Sequence, residues 1–238
     1  MAADGVGSRP PLRLGAALFN GDHARLGEEV ARLEGAGLDF IHLDVFDGHF
    51  VSDLGFPPRT IAALRPLTQL PFEVHLGAQE PLRFVHQLVE AGTDLLVFHI
   101  ESVAMVYEAL FAVREHNVRV GLALAMGTAL EQLFPVIEAV DAVLLLSRVT
   151  GEGTKGASFD KGALPRVRAV REMIDAAGAT VDLQVAGGVK QEHVAALVDA
   201  GATTLALGGG LYRVPDMAAE VASLRQVAAN AALQEKAR

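Results

Sequence analysis

The chain has 238 residues, of which 51% are hydrophobic and 21% charged, enough for one barrel-sized domain with a full core. It contains no cysteine, which excludes disulfides and thiolate metal sites, and its formal net charge of −9 argues against broad nucleic-acid binding. Its apolar runs are shorter than the roughly 18 residues of a membrane span, so we expect no membrane partner and a cytoplasmic location.

Short apolar runs and longer amphipathic stretches alternate along the chain. The segment before the first run, Met1 to Pro11, contains Gly, Ser and Pro and is predicted to be a loose tail, followed by one domain over residues 12–238. The eight runs are Leu14 to Phe19, Phe40 to Val45, Phe72 to Leu76, Leu95 to Ile100, Val118 to Leu124, Ala142 to Leu146, Val181 to Val185 and Thr204 to Leu207. Near-continuous apolar strands are typical of parallel sheets covered by helices on both faces.

The stretches between the runs carry apolar residues at helical spacing. Asp22 to Glu34 and Gln191 to Ala200 show the pattern, and Ala218 to Ala232 is predicted to form the last helix. Eight strand–helix units without a break in composition predict an α/β fold, a single (β/α)₈ barrel. A doubly wound open sheet is the alternative.

The ends of the second and third runs carry a candidate metal site. Functional side chains of such barrels gather at the carboxyl ends of the strands. His42 and Asp44 are two residues apart and therefore face the same way, and His75 lies near the end of the next run. Neighbouring strands are ~4.8 Å apart, so the three groups can converge. Two imidazoles and a carboxylate suit an open site for a divalent ion such as Zn²⁺, Mn²⁺, Fe²⁺ or Co²⁺.

Two glycine clusters indicate a phosphate site. Gly187 and Gly188 follow the seventh run, and Gly208 and Gly209 follow the eighth. Barrels often bind phosphate with these two loops, and glycine lets backbone N–H groups approach an anion closely. A phosphorylated small molecule is therefore the expected partner.

Three segments resemble the ribulose-phosphate 3-epimerase family. The sequence from His42 to Val51, HLDVFDGHFV, is similar to the signature of that family, and Glu73 to Leu76 and Phe98 to Glu101 are similar to two further motifs. The resemblance extends from about Leu14 to Tyr212. It implies a barrel enzyme, an isomerase of carbohydrate metabolism of the pentose phosphate type, that epimerises a ketose phosphate at C3 through a metal-stabilised enediolate. We also expect a homo-oligomer.

The same resemblance assigns roles to single residues. It implies that His42, Asp44 and His75 are metal ligands and that Asp44 is one acid/base. The family carries a second acid on strand seven, in the motif V-D-G-G-V, where this chain reads V-A-G-G-V with Ala186. Epimerisation needs an acid on each face of the substrate, so a substitute is required. The candidates are Glu152, Glu101 and His49.

Two other functions remain open on the sequence alone. A lyase, either aldol or decarboxylating, needs the enediolate but no acid on the opposite face of the substrate. The absence of an acid at Ala186 is therefore a smaller obstacle to lyase activity. The V-A-G-G form resembles hexulose-phosphate synthases, although the segment Glu73 to Ala78 lacks the lysine of their D-x-K-x-x-D motif. A non-catalytic phosphosugar-binding protein would keep the glycine loops but has no need of His42, Asp44 and His75.

Overall fold

The computed structural model describes residues 11–149 and 158–236, and they form a closed barrel of eight parallel strands in the order β1 to β8. The strands are β1 Arg13–Ala17, β2 Phe40–Phe46, β3 Phe72–Gly77, β4 Leu95–His99, β5 Arg119–Leu124, β6 Ala142–Leu146, β7 Asp182–Ala186 and β8 Thr204–Leu207. β1 pairs with β8 and closes the barrel, which excludes the open-sheet alternative. The predicted (β/α)₈ barrel is thus confirmed, while the predicted tail, apart from Pro11, lies outside the described residues.

Helices cover the outside of the barrel. They are α1 Leu26–Gly35, α2 Pro58–Leu64, α3 Val85–Glu90, α4 Val106–Arg114, α5 Ala163–Ala177, α6 Gln191–Asp199, α7 Gly209–Tyr212 and α8 Met217–Lys236. They pack on the outward strand residues in one large core cluster. No helix in the described ranges is long and apolar enough to cross a membrane.

Two helical segments differ from the prediction. The stretch that begins at Asp22 enters α1 only at Leu26, because the Asp22 carboxylate accepts a hydrogen bond from the Ala24 N–H and closes a turn first. Between β5 and β6 the chain forms two 3₁₀ turns, Leu130–Leu133 and Ile137–Ala139, in place of an α-helix. Pro135 lies between them and lacks the N–H that a continuous helix requires.

The barrel interior is divided along its axis. At its amino end, Asp182 accepts hydrogen bonds from Arg13 at 3.2 Å and Arg119 at 3.0 Å, which closes that end with ion pairs. Because Asp182 is committed there, it cannot replace the acid missing at Ala186, at the other end of β7.

Candidate functional site

Strand alternation directs the three predicted ligands into the barrel. His42 and Asp44 are inward residues of β2, and Asp44 pairs in register with His75 of β3. The imidazoles are buried, with 2% of His42 and 5% of His75 exposed, and the Asp44 side chain keeps 14%. The site therefore holds a partly accessible carboxylate between two buried rings.

The ligand atoms of these residues form a compact group. Asp44 Oδ1 lies 3.3 Å from His42 Nε2 and 3.0 Å from His75 Nδ1, and one donor atom from each residue lies within 4.8 Å of the others. The structure thus brings together the three residues that the sequence singled out.

A carboxylate behind His42 fixes its ring. His42 Nδ1 lies 2.8 Å from Glu73 Oε1, and the other oxygen of Glu73 accepts a hydrogen bond from Gln184 Nε2, also at 2.8 Å. The proton on Nδ1 is thereby directed at Glu73, which leaves Nε2 of His42 facing Asp44 as the atom that can bind a metal.

A second chain of contacts fixes His75. Its Nε2 lies 3.0 Å from Nε2 of His99, and His99 Nδ1 lies 3.1 Å from Glu101 Oε2. The other oxygen of Glu101 accepts hydrogen bonds from the Ala125 N–H at 2.7 Å and from the Thr128 hydroxyl. With neutral rings, His99 donates to Glu101 and accepts from His75, so Nδ1 of His75 is free to bind a metal.

The charges at the site are set by burial and by these neighbours. Burial alone would raise the pKa of Asp44, but the adjacent His42 and His75 hold it well below its usual range. Burial opposes the charge on His42, yet attraction and hydrogen bonds from Asp44 and Glu73 raise its pKa to about 10. Burial lowers the pKa of His75 to about 4, so this ring is neutral. Asp44 is therefore ionised at neutral pH, as a base or metal ligand must be.

The donor set fits a divalent cation. Each imidazole presents one nitrogen to the cluster and has its other nitrogen held by a neighbour, the arrangement typical of histidine ligands. One carboxylate and two imidazole nitrogens match an open catalytic site of a metal such as zinc or manganese.

The barrel wall across from β2 and β3 is apolar. β6, β7 and β8 present Leu146, Ala186 and Ala206 at their carboxyl ends, in register with one another. These side chains belong to a buried apolar cluster inside the barrel, and Ala186 is 8% exposed. The position at which the family motif carries an acid therefore faces the interior and bears only a methyl group.

Glu101 and His49, two of the residues predicted as a substitute acid, differ in their surroundings. Both oxygens of Glu101 are engaged, and although burial would raise its pKa, hydrogen bonds from His99, Thr128 and Ala125 lower it to about 2. His49 is exposed and its Nδ1 lies 3.1 Å from the carbonyl of Asp47 in its own loop. The third candidate, Glu152, lies outside the described residues.

The glycines predicted to bind phosphate lie side by side on one rim. Gly187 and Gly188 follow β7 with φ angles of +107° and +71°, which L side chains rarely adopt. Gly208 and Gly209 follow β8, the neighbouring strand. These four residues thus carry no side chain of their own at the carboxyl end of the barrel.

A sequence model described as the ribulose-phosphate 3 epimerase family matches residues 13–212. The chain belongs to the ribulose-phosphate 3-epimerase family. It is 37% identical over 216 residues to ribulose-phosphate 3-epimerase 2 of Cupriavidus necator, covering 89% of each chain. It is 32% identical to ribulose-phosphate 3-epimerase of Bacillus subtilis, covering 90% of this chain and 98% of the relative. Membership makes it an enzyme of the epimerase type that depends on a divalent metal.

Solved structures share the fold of this epimerase-family chain at low sequence identity. KGPDC from Streptococcus mutans superposes with a TM-score of 0.69 at 13% identity, covering 93% of this chain and 99% of that one. For 3-hexulose-6-phosphate synthase from Salmonella typhimurium the TM-score is 0.64 at 17% identity, with 93% and 100% covered. These likenesses establish the barrel alone and give no support to lyase activity.

Sequence reasoning did not assign roles to three residues of this family member's site. Glu73 shares the inward parity of His75, and His99 ends β4 on the inward side, so period-two alternation is the signal that could have placed both inside the barrel. The register between strands, which determines that Glu73 meets His42 and His99 meets His75, has no signal in a single sequence. Gln184 is buried on β7, and its bond to Glu73 likewise depends on this register.

Proposed function

We propose that this protein is a metal-dependent 3-epimerase of a pentulose phosphate, with ribulose 5-phosphate as its substrate. The observation that carries the proposal is the convergence of His42 Nε2, Asp44 Oδ1 and His75 Nδ1 at the carboxyl ends of β2 and β3. The substrate follows from the family and from the relatives named for it. A lyase or a binding protein has no comparable support.

Asp44 takes the proton from C3 on the β2 side of the pocket. The C3 proton of a 2-ketose is weakly acidic, and a bound divalent cation supplies stabilisation of the negative charge that develops on the substrate oxygens. His42, Asp44 and His75 would hold that cation. The pKa of Asp44 lies well below its usual range, so the group is a carboxylate at neutral pH, which is the protonation state that a general base requires.

The proton on the opposite face has to come from another group, because Ala186 carries no acid. We propose Glu152 for this role because it follows β6 in the sequence, and residues that follow a strand of such a barrel are where functional groups gather. A Glu152→Gln variant should lose epimer formation more than it loses exchange of the C3 proton with solvent. Equal losses of both would argue that Glu152 acts elsewhere.

Glu101 and His99 position His75 and do not transfer protons to substrate. The pKa of Glu101 is lowered to about 2 by its hydrogen-bond donors, which keeps it an acceptor and unsuited to be a general acid near pH 7. Its contact with His99, and the contact of His99 with His75, orient the ligand nitrogen of His75.

The phosphate of the substrate binds at the rim formed by Gly187, Gly188, Gly208 and Gly209. Positive φ angles at the first two glycines turn the backbone in a way that other residues resist, which is typical of backbone anion sites. A substrate anchored there spans the barrel mouth toward Asp44.

The direct test uses purified protein stripped of metal with a chelator and then reloaded separately with Zn²⁺, Mn²⁺, Fe²⁺ or Co²⁺. Ribulose 5-phosphate should be converted to its C3 epimer only after reloading, and unphosphorylated ribulose should react poorly. Cleavage products in place of an epimer would show a lyase, and binding without turnover under every metal would show a phosphosugar-binding protein.

We propose that an exposed apolar surface of the protein binds a second copy of the chain. Met105, Tyr107 and Phe111 on and before α4, with Phe134 on the adjoining turn, are 49–66% exposed. The Tyr107 hydroxyl donates to the Pro135 carbonyl and joins the two segments. Exposed patches of this kind mark association surfaces. Sedimentation velocity should show an oligomer that Phe111→Ser dissociates and that Leu233→Ser, at another exposed site, leaves intact.

A further inference from the structure

The turn after β7 is held rigidly by its neighbours. The Ser147 hydroxyl, which is fully buried, lies 2.9 Å from the Ala186 carbonyl and 2.6 Å from the Gly187 carbonyl, and its one proton is shared between these two acceptors. A Cβ added at Gly188 would lie 2.8 Å from the backbone N of Phe159. The segment following the β6 loop therefore packs directly on this turn, and the glycine backbone has a fixed position at the rim.

An arginine side chain lies over the first glycine of that turn. A Cβ added at Gly187 would lie 2.9 Å from Cγ and 3.5 Å from Cδ of Arg148, so the Arg148 stem occupies the space that glycine leaves open. The residue is half-buried. Within residues 11–149 and 158–236, no carboxylate forms an ion pair with its guanidinium.

A second arginine lies over the glycine turn after β8. A Cβ added at Gly209 would lie 3.3 Å from Nη1 of Arg213 and 2.9 Å from Oδ1 of Asn20. The side chain of Asn20 is itself held, because its Nδ2 donates to the Ala17 carbonyl at 3.2 Å. Arg213 likewise has no carboxylate partner in the described part of the chain.

Neither Arg148 nor Arg213 has a carboxylate partner among the residues that the structure describes. The chain has a net charge of −9, and several other arginines of the barrel, Arg13 and Arg225 among them, are paired with aspartates. β7 and β8 are neighbours in the sheet, so Arg148 and Arg213 flank one rim. The planar fork of an arginine matches phosphate oxygens and forms charge-assisted hydrogen bonds with them.

We propose that Arg148 and Arg213 are cationic ligands of the substrate phosphate, added to the backbone N–H groups of the two glycine turns. This inference rests on the proposed function, since it names the side chains that recognise the phosphate of that substrate. The ligand class is a phosphate monoester dianion. Both guanidinium groups contribute to binding of the phosphate and not to proton transfer at C3.

The test measures binding of inorganic phosphate by calorimetry to metal-loaded wild type, Arg148→Gln, Arg213→Gln and the double variant. Each single change should weaken binding by about 10- to 100-fold, the range expected for a lost charge-assisted hydrogen bond. The KM for ribulose 5-phosphate should rise by a similar factor with kcat nearly unchanged, because binding to the phosphate is uniform between ground and transition states. Turnover of unphosphorylated ribulose should not respond. Arg168→Gln, which removes an arginine paired with Asp199 on the outer face, is the matched control.

The Gly209→Ala variant tests the backbone of the turn, because its added Cβ would lie 2.9 Å from Asn20 Oδ1 and crowd that turn. Comparison with the arginine variants distinguishes failure of this inference from failure of the proposed phosphate site. If Gly209→Ala weakens phosphate binding and both arginine variants bind as wild type does, the backbone alone binds the anion and the inference is wrong. If none of the variants changes phosphate affinity, the anion binds elsewhere and both the inference and the proposed phosphate site are overturned. If the arginine variants lose phosphate affinity in a protein that shows no epimerase activity, the inference stands and the proposed activity fails.

Discussion

His75 and His99 contact each other through their Nε2 atoms at 3.0 Å, deep inside the barrel. Only one of the two nitrogens can carry the proton, and the carboxylate of Glu101 on the far side of His99 decides which. The contact therefore couples a residue outside the metal cluster to the orientation of a ligand within it.

His99→Ala should weaken metal binding by about 10- to 100-fold, as is typical when the outer partner of a histidine ligand is removed. The reason is that His75 loses the acceptor that holds its Nε2–H and turns its Nδ1 toward Asp44. Competition with a fluorescent chelator measures the affinity without reference to turnover. His116→Ala, at an exposed histidine after α4, is the control. Equal affinities for all three proteins would show that His99 does not position His75.

Glu101→Gln should reduce the sensitivity of the fold to acid. The folded-state pKa of Glu101 is about 2, against an ordinary value of 4.5. Because the folded pKa is the lower one, the stabilisation from this carboxylate is fully present above about pH 4.5 and is lost as the pH falls toward 2. Urea unfolding from pH 7 to pH 2.5 should show a shallower loss of stability in the variant. Parallel curves for the two proteins would contradict the assigned pKa.

Metal binding should release a proton from His42. Without metal, the pKa of His42 is raised to about 10 by Asp44 and Glu73 against the effect of burial, so the ring is protonated at pH 7. A metal at Nε2 requires the neutral ring. Calorimetric titration with metal in buffers of different ionisation enthalpy should show release of about one proton. No buffer dependence at pH 7 would mean that His42 is already neutral or is not a ligand.

Much of this architecture could be predicted from the sequence, because parallel strands buried on both faces appear as apolar runs. The runs near His42 and His75 match β2 and β3 within one residue. Helix starts were predicted less well: the turn at Asp22 depends on one side-chain hydrogen bond that periodicity does not show. The partners Glu73 and His99 were missed because they depend on the stagger between strands, which the tertiary structure sets.

Ala186→Asp should restore an acid to the wall that faces Asp44. Ala186 points into the barrel at the end of β7, where a carboxylate could join the metal cluster and protonate the second face of the substrate. Metal affinity and the rate of epimerisation should both rise, and the metal-free protein should be less stable because the new charge is buried without a partner. Ala206→Asp, on the neighbouring strand, is the matched control and should bring neither gain. A folded Ala186→Asp variant with unchanged affinity and rate would show that this position does not face the reacting carbon.

Exchange of the C3 proton with solvent tests whether Asp44 is the base of a metal-dependent 3-epimerase. Metal-loaded protein is incubated with ribulose 5-phosphate in D₂O, and the C3 proton and the C3 epimer are followed by NMR, with Asp44→Asn measured in parallel. We expect loss of the C3 proton signal and formation of the deuterated epimer with wild type, and neither with Asp44→Asn. Absence of C3 exchange in the metal-loaded wild type, or exchange that persists in Asp44→Asn, would contradict this role.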